Sequence, residues 1–247
     1  MPRLAVWTVG AIGGDAVSEA PENVHKQIRE ILCTHSAMWD GTLGTINATE
    51  HAIVTPTDAV PIRAQPYRTG PFKRQIIAVQ IHKTLKLKVL KPSHSAWASP
   101  VVIVPKKNGK ARFCVDYRRL NNSIKKDAYP LPRMEDCLES LGDANVFTSL
   151  ECTAGYWQVP LRPADREKIA FPTLAGIYHR LFMPFGLTNA PATFQRALYI
   201  ILSGLKRQLC LVYLDDVIIF SASAEQHVKD VDVVLTRLRE ACVTLNP

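Results

Sequence analysis

The sequence predicts a loop-rich fold that mixes helices with strands, α/β or α+β. Three observations carry this. Seventeen prolines stand against twelve glycines, a balance that fits neither a coiled coil nor a disordered tail. ASPVVIVPKKNGKARFCVDYRRLN (98–121) places an Asn-Gly between two strand-like runs, VVIV and ARFCVDY, which is the pattern of a β-hairpin. The last third of the chain changes period twice and reads helix, hairpin, helix.

Taken in order, residues 1–50 form an N-terminal extension with weak signals and no chemistry. Within it HKQIREILCTHSAMW (25–39) reads as one short amphipathic helix with Ile28, Ile31 and Leu32 on a face. Pro56, Pro61, Pro66 and Pro71 forbid a long helix over 51–72 and predict extended chain. FKRQIIAVQIHKTLKLKVLK (72–91) spaces Ile77, Ile81 and Leu85 as a helix does. Lys83, Lys86, Lys88 and Lys91 cluster near its end, as a solvated face or a phosphate-facing patch. The hairpin of 98–121 follows. YPLPRMEDCLESL (129–141) is a turn and then a helix, with Pro132 near the start, where a missing N–H does no harm.

NVFTSLE (145–151) is a strand, and a second strand covers 168–183. NAPATFQRALYIILSGL (189–205) is a helix with Pro191 in its first turn and Phe194, Leu198, Ile201, Leu202 and Leu205 inward. LCLVYLDDVIIFSAS (209–223) is two short strands joined at Asp215–Asp216. AEQHVKDVDVVLTRLREACV (224–243) is a helix that buries Val228, Val231, Val234, Leu235 and Leu238.

Composition narrows the function classes. The chain is 47% hydrophobic and 21% charged, enough for one large domain or two small ones. A net charge of +8 and a pI near 9.2 favour a polyanionic partner, nucleic acid first. The cysteines at 33, 114, 137, 152, 210 and 242 form no C-x-x-C pair and no zinc spacing. They read as small buried hydrophobes in a reducing compartment, so any metal chemistry must use oxygen ligands. The N-terminus MPRLAVWTVGAIGGDAVSEA is too short and glycine-broken for a secretory signal. No segment approaches the ~18 uninterrupted apolar residues of a membrane span, and an intracellular protein is expected.

CLVYLDDVIIF (210–220) sets two aspartates inside an apolar run. Asp215 and Asp216 are either turn formers or ligands. The apolar flanks favour ligands, because two carboxylates held on packed structure repel each other and lose solvation. A divalent cation removes both costs. Magnesium binds through one or two carboxylates plus waters and phosphates, and two such ions assist phosphoryl transfer. Glu151, at the end of VFTSLECTAGYWQ, is a candidate third carboxylate or a strand-end charge in solvent.

These residues resemble a family. From about His51 onward the chain is similar to the reverse transcriptase of gypsy-class LTR retrotransposons. The resemblance rests on WASPVVIVPKKNGKARFCVDYRRLN, KKDAYPLPRMEDCLESL, VFTSLECTAGYWQ, MPFGLTNAPATFQ and VYLDDVIIFS, in family order. It implies an α+β right-hand polymerase: a palm of antiparallel sheet with helices on one face, and β-rich fingers. The fingers would cover 51–125 and 159–189, and the palm 126–158 and 190–247. Glu151, Asp215 and Asp216 would be the catalytic carboxylates, holding two Mg2+ ions, with Mn2+ possible. Tyr156 would lie under the incoming sugar and favour dNTPs. Lys106 or Lys107 and Arg112 would grip the triphosphate, as suits a point charge and a bidentate fork. Phe185 and Gly186 would lie beside the nucleotide, with Gln195, Arg196 and Tyr213 against nucleic acid. The implied reaction is RNA-directed DNA synthesis on an RNA or DNA template with a primer, without a membrane, in a cytoplasmic particle or the nucleus.

The sequence departs from the family pattern in places. Leu150-Glu151-Cys152 stands where the family has Leu-Asp-Leu. The extra methylene displaces the carboxylate by roughly 1 Å, enough near a reacting centre to cost about a hundredfold. KIAF (168–171) replaces a usual K-T-A-F. No D-T-G or D-S-G protease motif is present, and the chain stops at LNP (245–247), before a primer grip, thumb or ribonuclease H. The expectation is a fingers-and-palm portion of a polyprotein with the thumb absent. It is either a polymerase or a catalytically impaired remnant that only binds nucleic acid.

Overall fold

The computed structural model describes residues 5–8, 22–105, 111–142 and 144–246. Its elements run β1 (Ala5–Thr8), α1 (Glu22–Thr34), α2 (Pro71–Lys86), β2 (Leu90–Pro92), β3 (Val101–Pro105), β4 (Ala111–Val115), α3 (Arg118–Ser123) and α4 (Met134–Glu139). They continue with β5 (Val146–Glu151), β6 (Phe171–Thr173), β7 (Gly176–Arg180), α5 (Ala190–Ile201), β8 (Cys210–Tyr213), β9 (Asp216–Ser221) and α6 (Ala224–Glu240). The chain divides into two compact units. One takes Met1–Thr49, Ala128–Gln158 and Pro191–Pro247; the other takes Glu50–Asp127 and Val159–Ala190.

In the first unit the sheet order is β1-β5-β9-β8. β5, β9 and β8 are antiparallel neighbours, and β1 joins the edge of β5 in parallel. Alternation along β5 and β9 sends Val146, Leu150, Val217 and Ile219 into the core. α6 packs against β9 and β5 and buries Val231, Val234, Leu235 and Leu238; Phe194, Leu198 and Leu202 around α5 are buried in the same unit. Each such side chain contributes about 1.5–3 kcal/mol on burial. Ser223 caps α6, its side chain accepting from the Gln226 N–H.

The stretch read as an extension is built into this unit. α1 buries Val24 and Ile28, and the chain then makes a single 3-10 turn over Ser36–Trp39 with Met38 and Trp39 buried. The one helix expected over 25–39 is therefore broken at Thr34. His35 Nε2 lies 3.0 Å from Asp232 Oδ1 of α6, and the Met38 carbonyl accepts from the Leu245 N–H at 2.9 Å.

The second unit holds the three-stranded sheet β2-β7-β6 and the two-stranded hairpin β3–β4. The hairpin register runs from Val101↔Val115 to Pro105↔Ala111; its Asn-Gly turn lies outside the described residues. The helix expected to 91 stops at Lys86 because the chain turns through Lys88 at φ 54 into β2. The single strand expected over 168–183 is instead a 3-10 turn (Pro163–Ile169) and the hairpin β6–β7, reversing at Gly176 with φ 131, a conformation open to glycine. Asp165 is the polar hub: it accepts from Arg162 Nε at 2.7 Å, Lys168 Nζ at 2.8 Å and the Ile53 N–H at 3.0 Å. Among the described residues no helix is long and apolar enough to cross a membrane.

Candidate active site

Directly paired residues on neighbouring strands share a sheet face, and faces alternate along each strand. The pairs Glu151↔Asp216 and Tyr213↔Asp216 therefore set Glu151, Asp216 and Tyr213 on one face. The opposite face carries Thr148 and Ser221, and it is the face that α6 covers: Thr148 Oγ1 lies 2.8 Å from His227 Nε2, and Ser221 Oγ 2.9 Å from His227 Nδ1. The acidic pair thus stands on the side of the sheet that α6 leaves open. Glu151 and Asp216 are exposed, and Asp215 and Tyr213 are half-buried.

The hairpin joint sits one residue earlier than expected. Tyr213 pairs with Asp216, so the turn is Leu214–Asp215, and Asp216 already belongs to β9. Leu214 takes φ 54, a strained conformation for a residue with a β-carbon. Gln195 of α5 holds it there. The Leu214 N–H donates to Gln195 Oε1 at 2.8 Å, and Gln195 Nε2 donates to the Val212 carbonyl at 3.0 Å. Gln195 is fully buried. Its amide is spent on the hairpin rather than presented to a nucleic acid, which revises the role expected from the sequence.

Beyond β5 the chain returns to the same turn. The Cys152 N–H donates to the Asp215 carbonyl at 3.1 Å. Gly155 opens a 3-10 turn that includes Tyr156. Asp215 Oδ1 is buried and accepts no hydrogen bond. Tyr156 stacks edge-on against Phe194, ring centroids 5.5 Å apart. Gln158, fully buried, ties this turn to the chain end: Nε2 donates to the Thr153 and Thr244 carbonyls at 2.8 Å, and Oε1 accepts from the Thr244 N–H at 2.8 Å.

Burial, then the charges of Asp216 and Glu151, hold the Asp215 carboxyl above the usual carboxylate range. Burial and Glu151 raise Asp216 likewise. Burial, with the charge of Asp215 behind it, pushes the Tyr156 hydroxyl up to about 12. The three carboxylates are therefore electrostatic neighbours, and no ion pair among the described residues relieves their repulsion. A buried Asp215 oxygen that accepts no hydrogen bond, beside raised Asp215 and Asp216 carboxyls, is a donor set whose chemistry suits a hard divalent cation. The donor types fit magnesium or manganese. Among the described residues, however, no group of three or more His, Cys, Asp or Glu is gathered closely enough to hold a metal: the donors adjoin by register and charge without ringing one point.

The other residues singled out from the sequence divide by unit. Arg196 follows Gln195 on α5, its guanidinium 4.5 Å from the Tyr129 ring centroid. Arg112 is exposed on β4, paired across the hairpin with Val104. Phe185 is exposed, and Gly186 follows at φ 97 with its carbonyl accepting from Asn121 Nδ2 at 2.8 Å. Arg112, Phe185 and Gly186 belong to the second unit. Lys106 and Lys107 lie outside the described residues. Two positions were missed: Gly155, and Gln195 as a support. A glycine just past a strand end is the signal that a close backbone approach leaves; a buried glutamine leaves none.

Residues 104–247 match the family described as reverse transcriptase (RNA-dependent DNA polymerase). The chain is 38% identical over 204 residues to the Retrovirus-related Pol polyprotein from transposon 297 of Drosophila melanogaster, covering 81% of this chain and 19% of that one. With the Pol polyprotein from transposon gypsy of the same organism it shares 34% over 229 residues, 90% of this chain and 22% of the other. The chain thus spans about a fifth of the length of these relatives. Among solved structures, Prototype Foamy Virus protease-reverse transcriptase superposes with a TM-score of 0.81 at 25% identity, covering 93% of this chain and 31% of that one. A foamy viral protease-reverse transcriptase solved in complex with RNA/DNA hybrid gives 0.80 at 21%, a likeness of fold. The α+β palm-and-fingers architecture is that of these enzymes, and the chain belongs to the reverse transcriptase family, among the Pol polyproteins of LTR retrotransposons.

Proposed function

We propose that the chain is the part of a retrotransposon reverse transcriptase in which nucleotidyl transfer from a dNTP to a primer 3′-hydroxyl takes place. The observation that carries this is the open sheet face where Glu151 and Asp216 are register partners beside the unsatisfied Asp215 Oδ1. Glu151, Asp215 and Asp216 would hold the divalent ions; bound Mg2+ or Mn2+ supplies neutralisation of phosphate charge and a more acidic primer hydroxyl. The chain's own residues do the positioning. Gln195 fixes the turn that presents Asp215. Tyr156 stays a neutral phenol through the physiological range and offers a flat ring for the sugar. Arg112, Phe185, Gly186 and either Lys106 or Lys107 are assigned to the nucleotide by resemblance, and Arg196 and Tyr213 to template and primer. Proximity and fixed charge are the sources of rate.

A second reading keeps binding and gives up chemistry. It is favoured by Glu151 in place of aspartate and by the three carboxylates not ringing one point. Extension of a labelled primer on an RNA template with dNTPs and Mg2+ separates the two. Incorporation that is lost in Asp216→Asn supports the polymerase; template binding without incorporation, in Mg2+ and in Mn2+, supports the remnant.

A further inference from the structure

The positive charge of this chain is not spread over it. Between Ala59 and Val115 there are twelve Lys or Arg and no Asp or Glu; the rest, with eighteen basic against twenty-two acidic residues, is net acidic. That stretch lies within the second unit. The densest described part of it is the end of α2 and the strand after it. Lys83 and Lys86 occupy the last turn of α2, one helical turn apart and on one face. Lys88 follows the helix, and Lys91 is on β2, whose neighbour Leu90 is buried. Lys83, Lys86, Lys88 and Lys91 are all exposed, and no ion pair among the described residues engages them. Of the four, Lys91 is felt by its register partner: His179 is held below the usual histidine range by burial first and then by the charge of Arg166, with Glu167 opposing and Lys91 adding a smaller push.

Lysines at a helix end also oppose the helix dipole, and Lys83 and Lys86 would need no further reason. Lys88 does. It stands just past the helix at φ 54, where the Leu87 N–H bonds back to the Lys83 carbonyl at 3.1 Å, and the Lys88 N–H to the Leu85 carbonyl at 3.0 Å. That left-handed position closing a helix is one glycine fills without strain. The lysine side chain is exposed there, so packing does not require it. What a lysine adds at this place over glycine is charge, beside three other lysines that no ion pair among the described residues engages.

We infer that Lys83, Lys86, Lys88 and Lys91, all in the second unit, form a phosphate-backbone surface for single-stranded nucleic acid that is indifferent to sequence. The choice of nucleic acid over other polyanions rests on the function proposed above; the surface itself rests on charge and backbone geometry.

The test uses the full chain and a fluorescent single-stranded RNA of about 25 nucleotides, titrated across a range of salt. Replacing the cluster (K83Q, K86Q, K88G, K91Q) should weaken binding about tenfold or more near physiological salt. It should also flatten the log–log salt dependence by about 3, since each phosphate contact on a single strand contributes about 0.7. K88G alone should keep or raise the melting temperature while binding RNA more weakly, which a merely structural lysine would not do. Unchanged affinity and salt slope in the fourfold variant would overturn the inference, as would lysine-dependent binding to phosphatidylserine vesicles with none to RNA. Primer extension at saturating template keeps the two readings apart. Extension retained with RNA affinity unmoved by the lysines sinks only the surface. Lysine-dependent RNA binding without extension in the unaltered chain sinks only the polymerase.

Discussion

Gly155 and Asp215 approach so closely that a β-carbon on Gly155 would lie 2.8 Å from Asp215 Oδ1 and 2.8 Å from Phe194 Cζ. The turn that carries Asp215 is thus backed by a hydrogen where any other residue has a carbon. Gly155→Ala should push Asp215 or Phe194 aside, destabilise the chain by about 1–3 kcal/mol, and lower primer extension by about a hundredfold through a misplacement near 1 Å. Thermal melting and extension assays check both parts; wild-type values in each would show that the contact yields freely.

Glu151 and Asp216 are direct partners across β5 and β9, so shortening one changes the distance between their charges at a fixed backbone. Glu151→Asp withdraws the carboxylate by roughly one bond length and should raise extension by about ten- to a hundredfold. No gain would refute the view that the extra methylene limits this chain.

The raised Asp215 and Asp216 carboxyls fix the sign of a pH effect. A carboxyl whose folded pKa lies above its unfolded value of 3.8 binds its proton more tightly when folded. Stability is then lost as pH rises from near 3.8 through the folded value, and above it the charges remain a cost. In the absence of divalent ions, Asp215→Asn or Asp216→Asn should raise the melting temperature at neutral pH. Added Mg2+ should stabilise the unaltered chain more than either variant. Calorimetric scans with chelator and with Mg2+ give the comparison; a variant that melts lower without metal would contradict the repulsion argument.

His227 titrates in the opposite sense. Carried on the buried face of α6 against Thr148 and Ser221, it is depressed from 6.5 to about 4 by burial, with Asp230 opposing. Its neutral form is the folded form, so its contribution is whole above 6.5 and is lost as pH falls from 6.5 toward 4. His51, buried in the other unit and depressed to about 4 with Asp165 and Asp127 opposing, adds a loss of the same sign. His227→Gln should flatten the acid limb of a stability profile between pH 6.5 and 4, whatever it costs at pH 8. A limb of unchanged steepness would assign the acid sensitivity elsewhere.

Gln195→Met keeps the side-chain length and removes both hydrogen bonds to the β8–β9 hairpin. The Leu214 N–H and Val212 carbonyl would be left unpaired at about 1–3 kcal/mol each. With Leu214 no longer held at φ 54, extension should fall further than stability alone accounts for. Urea denaturation and extension at a temperature well below melting separate the two effects.

The strand ending at Glu151, the hairpin holding Asp215 and Asp216, and α6 were legible in the sequence because each repeats its burial with the period of its own element. The same periodicity misread residues 168–183 and the end of the helix from 72, where the chain reverses at Gly176 and Lys88 through backbone angles that no side-chain pattern records. α1 showed its periodicity, but its partner in α6 is far away in sequence, so its place was invisible.

By itself the sequence determined the family and the identity of the acidic residues, since ordered motifs and residue types are local properties of the chain. Only the tertiary structure decided that Asp216 belongs to β9 while Asp215 belongs to the turn, that Gln195 faces inward, and that Gly155 must have no side chain. Those outcomes depend on which groups from distant segments arrive within hydrogen-bonding or van der Waals reach, a condition set by strand register and packing rather than by any residue's own preference.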